Sequence, residues 1–207
     1  MIRAFCRRPA AIGLILAVAV VILIGWADTW EGLRREAGEI RTVRADFIQK
    51  KHLPILAEPL VSEGSFAYSA PDALRWAYRT PVDSVLLMDD GDVTRYTRTD
   101  EGLIREAGGG LSAMDAVVGE ITAWLEGRFV DNPAFEAELA SGRRIILTPV
   151  DPAFGAFIQR IVLHLSDRPG LLKSVVIVEG PEAYTEILFK DAAINVEIDP
   201  SVFRSPS

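Results

Sequence analysis

The sequence predicts an α+β fold, in which one strongly curved antiparallel sheet forms an open, half-closed β-barrel and helices lie as a lid on its concave side. Two observations predict it. Short runs of aromatic and β-branched residues alternate with polar residues between turn-forming residues, which is typical of strands joined by hairpins. Only a few stretches show helical spacing, and no repeat, linker or low-complexity segment divides the 207 residues. A chain of this length forms one domain by default and can bury a sizeable core.

The first residues have the pattern of a secretory signal peptide. Residues 1–27 contain three arginines and no acid, and an uncharged apolar run extends from Ala10 to Trp26 before the small residue Ala27. We expect cleavage after Ala27, which leaves residues 28–207 as one exported domain. The apolar run also approaches the length that spans a bilayer, so an uncleaved membrane anchor is the alternative.

The expected mature domain is acidic and contains no cysteine. Because three arginines are lost with residues 1–27, the domain keeps 19 of the 22 basic residues against all 29 acids, a net charge of −10. Such a surface does not attract phosphate backbones, so nucleic acid is not expected as a partner. The single cysteine, Cys6, precedes the apolar run, where it can neither form an internal disulfide nor be the lipidated cysteine of a lipoprotein.

In chain order, a first helix is predicted at about 29–39, because Trp30, Leu33 and Ala37 recur at near-helical spacing. The clearest hairpin turn after it is Asp89-Asp90-Gly91-Asp92, since glycine and aspartate tolerate positive φ. Strands are predicted on both sides of this turn, at about 43–51, 59–68, 73–79, 84–89, 92–98 and 102–106.

A second helix is predicted at about 112–127, after the break at Gly108-Gly109-Gly110. Its residues Met114, Val117, Val118, Ile121, Trp124 and Leu125 form one apolar face. The chain then returns to strands, at about 135–139, 144–148, 159–166, 172–179, 184–190 and 193–198. A short helix is expected at Pro152–Phe157, with Phe154 and Phe157 facing inward.

Several short motifs follow one another along these strands. They are Phe47-x-Gln49, Gly64, Pro71, Leu74-Arg75-Trp76, Pro81 and the Asp-Gly turn before the strand that contains Tyr96. From Trp30 to Phe203, their order and spacing resemble the LolA family, periplasmic carriers that move lipoproteins from the inner to the outer membrane of Gram-negative bacteria. Two departures, the longer stretch Lys50–Leu60 and the short tail after Phe203, leave room for a LolA-like side branch whose cargo need not be a lipoprotein.

The resemblance implies a lipid-binding interior in which Arg75 has a particular role. The arginine of the Leu-Arg-Trp motif is expected to point into the concavity and to donate hydrogen bonds to backbone carbonyls of the lid helix. A guanidinium has five donors and no acceptor, so in an apolar cavity it needs such partners. The alternative is an outward arginine in an amphipathic strand. The lining is expected to come from Phe47, Phe66, Leu74 and Trp76 of the sheet and from Met114, Val118, Ile121 and Trp124 of the lid.

Nothing in the sequence predicts catalysis, a cofactor or a metal site. There are two histidines, His52 in a loop-like stretch and His164 in a strand, and no spacing typical of zinc ligands. The aspartates around Gly91 lack the remaining ligands of a calcium loop. The three glycines at 108–110 are not followed by the Gly-Lys-Ser/Thr of a phosphate loop, and no serine lies in a nucleophile elbow. We therefore expect a binding protein and not an enzyme.

The resemblance thus predicts a monomeric periplasmic carrier that shields the acyl chains of a lipoprotein, or of a related lipid, in water. A chain of ~15 methylenes loses on the order of 12 kcal/mol on exposure to water, at roughly 0.8 kcal/mol each. Its expected partners are the acylated cargo, an inner-membrane release complex of the ABC type and an outer-membrane acceptor lipoprotein. The alternative is a membrane-anchored LolA-like domain that senses lipid or peptide, which an uncleaved N-terminal helix would favour. An apolar helix face of this kind more often belongs to an ordinary core than to a lipid site.

Overall fold

The computed structural model of the protein describes residues 29–90, 92–106, 120–130 and 132–206. Within them, eleven strands form one antiparallel sheet accompanied by few helices. The helices are α1 (Trp30–Gly38), α2 (residues 120–125), α3 (Pro152–Gly155) and a 3₁₀ turn (Pro200–Phe203). The strands are β1 (Thr42–His52), β2 (Leu60–Ser69), β3 (Ala73–Thr80), β4 (Ser84–Asp89), β5 (Asp92–Thr99), β6 (Gly102–Arg105), β7 (Phe135–Ala140), β8 (Arg144–Pro149), β9 (Arg160–Leu165), β10 (Leu172–Val178) and β11 (Tyr184–Ile194). The predicted antiparallel sheet is confirmed.

The sheet is built from two meanders that join at its centre. The strand order is β6-β5-β4-β3-β2-β1-β11-β10-β9-β8-β7, so the first and last strands of the chain lie side by side. There Phe47 of β1 pairs with Phe189 of β11. The sheet is not closed among the described residues, since β6 and β7 are its two edges.

One predicted strand, at 193–198, is wrong. β11 instead continues to Ile194, and the chain leaves the sheet at Asn195, whose backbone is left-handed with φ 56°. The Asn195 side chain fixes this exit, because its Oδ1 accepts from the Arg41 N–H at 2.7 Å and its Nδ2 donates to the Glu39 carbonyl at 3.0 Å. Asparagine tolerates the left-handed region better than most residues, so it ends the strand at low cost.

Alternation along the strands gives the sheet two different faces. The helix face carries the main core, in which Leu74 and Trp76 of β3 pack in one cluster with Leu33 of α1 and with Ile121 of α2. The opposite side, called here the outer face, carries Arg75 of β3 and a smaller apolar cluster. Because side chains alternate along a strand, neighbours in the Leu-Arg-Trp motif point to different faces.

The first predicted helix is confirmed as α1. The Thr29 side chain caps it by accepting from the Gly32 N–H at 3.1 Å, and Leu33 and Ala37 are buried against the sheet. Of the second predicted helix, residues 120–125 are helical, whereas Met114 and Val118 lie outside the described residues. The predicted signal peptide also lies outside them. In the described part of the chain, no helix combines the length and apolar character needed to cross a bilayer.

Helix α2 ends in a Schellman motif that seats it against α1. The Gly127 N–H donates to the Trp124 carbonyl at 2.9 Å, and the Arg128 N–H donates to the Ala123 carbonyl at 2.8 Å. Gly127 has φ +74°, and a Cβ there would lie 2.9 Å from Arg34 Cα on α1. A glycine is therefore required both by the backbone conformation and by the close approach of the two helices.

The short helix predicted at Pro152–Phe157 is confirmed, although it ends two residues earlier as α3. The Asp151 side chain caps it by accepting from the Ala153 N–H at 2.8 Å. Phe154 and Phe157 are partly buried and pack against the main core, as predicted.

Candidate functional site

Aromatic side chains of three strands meet in the middle of the helix face. The Phe47 ring lies 4.4 Å from that of Trp76 and 5.3 Å from that of Tyr78, between centroids. Phe66 meets the Trp76 ring edge-on at 5.6 Å. Opposite Phe47 in the β1–β2 pair is Gly64, which leaves room for the phenylalanine ring over the backbone. The sheet residues predicted to line the interior thus come together on one face, Leu74 included.

Helix α2 covers part of this face with three buried side chains. Ile121, Trp124 and Leu125 belong to the same apolar cluster as the aromatic residues of the sheet. The predicted lid residues Ile121 and Trp124 are therefore placed over the predicted sheet residues. Their role in binding lipid remains a prediction.

The space between α2 and the sheet is apolar and almost filled. It holds a cavity of about 30 Å³, bordered by Ile121 and Leu125 of α2 and by Val43, Phe66 and Phe189 of the sheet. A second crevice of about 20 Å³ lies between α1 and α2 and also borders Leu125. Each has roughly the volume of one water molecule in the liquid. An acyl chain can enter here only if α2 moves.

One buried donor in this apolar region lacks a partner. The Trp76 Nε1–H has no hydrogen-bond acceptor among the described residues. The nearby Tyr78 hydroxyl instead donates to Gln49 Oε1 at 2.7 Å. An unpaired buried N–H typically costs about 1–3 kcal/mol. Trp76 does not border the cavity under α2, so this donor stays enclosed by the aromatic side chains around it.

Tyr68, which is buried, and Tyr78, which is partly buried, make stability sensitive to alkaline pH. Burial raises the pKa of Tyr78 to about 12, and burial is also the main cause that raises the pKa of Tyr68 to about 12. Their ordinary pKa is about 10. Since the folded state holds the protonated hydroxyl, this stabilisation is complete below about pH 10 and is lost as the pH rises toward 12.

We therefore expect the free energy of unfolding in urea to fall by about 1 kcal/mol per tyrosine between about pH 9 and pH 11. In Tyr78→Phe, the free energy of unfolding should fall by about 1 kcal/mol less over the same pH range. An equally steep fall in the variant and in the wild type would show that Tyr78 is not responsible.

The arginine expected to bind the lid helix has different acceptors. Arg75 lies on the outer face, because it alternates with Leu74 and Trp76, and α2 lies on the helix face. Its Nη1 donates to the carbonyls of Ser205 at 2.5 Å and Val202 at 3.3 Å. The Arg75 guanidinium does bind backbone carbonyls, but they belong to the end of the chain, and the expected contact with the lid helix is corrected accordingly.

Residues 195–206 form a C-terminal segment that the sequence patterns did not predict and that folds back over the outer face. Ile198 and Phe203 are buried there with Ala67 of β2. Arg204 Nε donates to Asp89 Oδ2 at 2.8 Å. The available signal was the row of small residues, such as Ala67 and Ala77, on the same face of the sheet as Arg75.

A third and larger cavity lies beside this segment on the outer face. It has a volume of about 360 Å³ and is bordered by Arg44, Asp46, Arg75, Asp191 and Val202, among others. Its charged lining has both signs. Unlike the space under α2, it is not an apolar compartment suited to an acyl chain.

Replacing Arg75 by leucine should release the C-terminal segment while the sheet stays folded. Hydrogen bonds from a charged donor contribute about 1.5–3 kcal/mol, so the free energy of unfolding should fall by roughly that amount. Limited proteolysis should then cut within residues 195–206 faster than in the wild type. Arg79→Leu is the matched control, because Arg79 lies on the same strand face and makes an exposed ion pair with Asp46. Such pairs contribute about 0–1 kcal/mol. Equal proteolysis of the two variants would contradict the role of Arg75.

The histidines are not gathered into a site. His52 is the last residue of β1 and not part of a loop, and its ring stacks on Tyr184 at 4.2 Å. His164 lies within β9, paired with Ser174 and Arg144 in the neighbouring strands. Across the described ranges, no group of three or more His, Cys, Asp or Glu residues is arranged to hold a metal ion.

Comparison with known proteins identifies a family. The family model described as "Outer membrane lipoprotein carrier protein LolA" matches residues 38–206. None of the curated proteins matches the chain.

Three solved structures illustrate the likeness in fold. A DUF1329 family protein from Desulfovibrio piger is 9% identical, with a TM-score of 0.49 over 84% of this chain and 95% of that chain. A putative outer membrane lipoprotein-sorting protein domain from Vibrio parahaemolyticus is 10% identical, with a TM-score of 0.45 over 84% and 94%. A LolA superfamily protein from Nitrosomonas europaea is 12% identical, with a TM-score of 0.44 over 86% and 98%. Likeness of this degree carries no functional information.

Proposed function

The chain belongs to the LolA family of outer membrane lipoprotein carrier proteins, and we propose that it is a periplasmic carrier that shields the acyl chains of lipoproteins, or of a related lipid, between the two membranes. In this proposal an inner-membrane release complex of the ABC type supplies the cargo and an outer-membrane acceptor lipoprotein receives it. The protein itself performs no chemistry.

The observation that carries the proposal is the apolar space between α2 and the sheet. Its cavity is only about 30 Å³, yet its whole border is apolar and one of its walls is helix α2. We infer two states. In the closed state Ile121 and Leu125 fill the space, and in the open state acyl chains take their place against the sheet. Since either occupant buries the same surface, exchange costs little net hydrophobic free energy.

Photo-crosslinking to lipid tests the proposal. A photoreactive amino acid is placed at Ile121 on α2 or, as the control, at Leu188, which is 36% exposed and points to the outer face from β11. The protein is expressed in a Gram-negative host and purified from the periplasm after irradiation. We expect acylated material, detected by mass spectrometry, to be attached at position 121 and not at position 188. Equal labelling at both positions, or none at 121, would refute the carrier.

The membrane-anchored sensing domain is the second candidate, and the uncharged run from Ala10 to Trp26 favours it. A protein fixed in one membrane cannot diffuse to the other. N-terminal sequencing of the exported protein separates the two, because a start at Asp28 agrees with the carrier and an intact N-terminus with the anchored domain.

A further inference from the structure

The hairpin tip, residues 53–61, comprises the connection from β1 to β2 and the first two residues of β2, and it exposes apolar side chains that the fold does not use. Ile55 is 88% exposed, Leu56 41%, Leu60 53% and Val61 46%. Surface loops of this kind are normally built from polar residues and glycine. Leu60 and Val61 point to opposite faces of β2, whereas Ile55 and Leu56 are adjacent in the turn and form one exposed apolar pair.

The geometry of the tip directs these side chains outward. The Leu56 N–H donates to the Leu53 carbonyl at 3.0 Å, which closes a β-turn with Pro54 and Ile55 at its centre. Proline favours the second position of such a turn, because its φ is fixed near the required value. Ile55 therefore lies at the apex of an exposed turn and not in a groove.

The neighbourhood of the tip adds one exposed apolar side chain and charges of both signs. β1 and β3 end at the same end of the sheet, and Val82, in the turn after β3, is 53% exposed there. Lys50 is exposed near the end of β1, where it lies opposite Glu186 of β11, and the neighbouring Lys51 pairs with Glu179 at 2.9 Å. A further acid, Glu58, lies within the tip.

We propose that the hairpin tip docks on the surface of a phospholipid bilayer, with Ile55 and Leu56 inserted among the acyl chains. A convex tip with exposed apolar side chains offers no flat area for a folded partner, whereas a fluid bilayer closes around any such shape. The inference stands on the hairpin and does not require that the protein carry lipid.

The test measures the fluorescence of a probe placed in the tip itself, because residues 10–26 of the full chain could themselves bind a bilayer. In the full chain with Cys6→Ser, an environment-sensitive fluorophore is attached through Ala57→Cys in the tip. The matched probe is attached through Ser141→Cys. Ser141 lies in the turn between β7 and β8, at the opposite end of the strands from the tip. Vesicles contain phosphatidylethanolamine and phosphatidylglycerol, with and without a nitroxide-labelled lipid.

We expect a blue shift and nitroxide quenching for the probe at position 57 and neither for the probe at 141. Ile55→Asp with Leu56→Asp should reduce the vesicle-dependent shift about 10-fold or more, since burial of each side chain is worth more than a factor of ten. Val93→Asp is the control, because Val93 is 55% exposed but lies outside the tip. Thermal unfolding checks that all variants fold.

Two results would overturn the proposal. One is an equal response of both probes, or a shift that survives the double substitution. The other is a shift at position 57 that grows with protein concentration without vesicles, which would identify a second copy of the chain as the partner.

Discussion

Replacing Gly64 by alanine is expected to lower the free energy of unfolding by about 3 kcal/mol or more, the upper end for a single added methyl group. A Cβ at this position would lie 2.1 Å from the Ala77 carbonyl oxygen and 2.4 Å from Cζ of Phe47. The carbonyl belongs to the adjacent strand, so it cannot turn aside as a flexible side chain would. Phe47 cannot move freely either, because its ring packs on those of Trp76 and Tyr78.

The measurement is urea unfolding of Gly64→Ala beside Gly38→Ala. Gly38 lies at the end of α1, and a Cβ there would meet nothing within 4 Å. The control should change stability little or raise it by about 0.4–1 kcal/mol, because alanine reduces the entropy of the unfolded chain. If both variants are as stable as the wild type, the close packing of Phe47 over the backbone is wrong.

Replacing Gly127 by alanine should loosen α2 and, if the proposed carrier cycle is right, increase the uptake of acyl chains. The substitution forces an L-residue to φ +74° and places its Cβ 2.9 Å from Arg34 Cα and 3.2 Å from Ala37 Cβ. Left-handed backbone alone costs roughly 1–2 kcal/mol. The substitution therefore lowers the stability of the packing between α2 and α1. A change of one or two kcal/mol raises the population of the open state by roughly 5- to 30-fold, and the apparent affinity for cargo rises with it.

Hydrogen exchange of the amides at 121–125 reports the opening, and titration with a fluorescent long-chain acyl probe reports the uptake. Gly142→Ala is the matched control, since Gly142 has φ +76° but has only Arg144 Nε nearby, at 3.9 Å. It carries similar backbone strain, but its added Cβ would contact no atom of α2. Faster exchange in Gly127→Ala without tighter probe binding would mean that α2 is not the gate. An unchanged exchange rate would mean that Gly127 does not stabilise the closed position of α2.

Local patterns were sufficient to locate most elements of the sheet. The turn at Asp89-Asp90-Gly91-Asp92 placed the ends of β4 and β5, because its residue types favour the φ of +53° that Asp90 adopts. Alternation in Leu74-Arg75-Trp76 places the two apolar residues in the core and Arg75 on the other face, so the expectation that Arg75 points into the same interior is wrong. The apolar spacing of Ile121, Trp124 and Leu125 identified the buried side of α2. Each of these signals lies within a few residues of the feature that it predicts.

What the sequence did not predict depends on contacts between distant parts of the chain. Arg75 was correctly expected to need carbonyl partners, but nothing near it in the sequence shows that they come from residues 202–206, on the outer face. Similarly, apolar residues at Ile198 and Phe203 are consistent with a strand until their partner, Ala67, is known. The left-handed conformation of Asn195, which ends β11, depends on a side-chain contact with residues more than 150 positions earlier in the chain.

The side-by-side position of β1 and β11 has a consequence for the biogenesis of the protein. Val43 pairs with Ile194. The two central strands of the sheet therefore cannot pair before almost the whole polypeptide has been synthesised. Such high contact order is typical of folding in milliseconds to seconds. Until then β1 and β10 are both edge strands, whose unpaired backbone N–H and C=O groups can pair with other chains. A polypeptide that stops at residue 183 should therefore show no cooperative melting and should aggregate, and a sharp melting transition in that fragment would contradict this account.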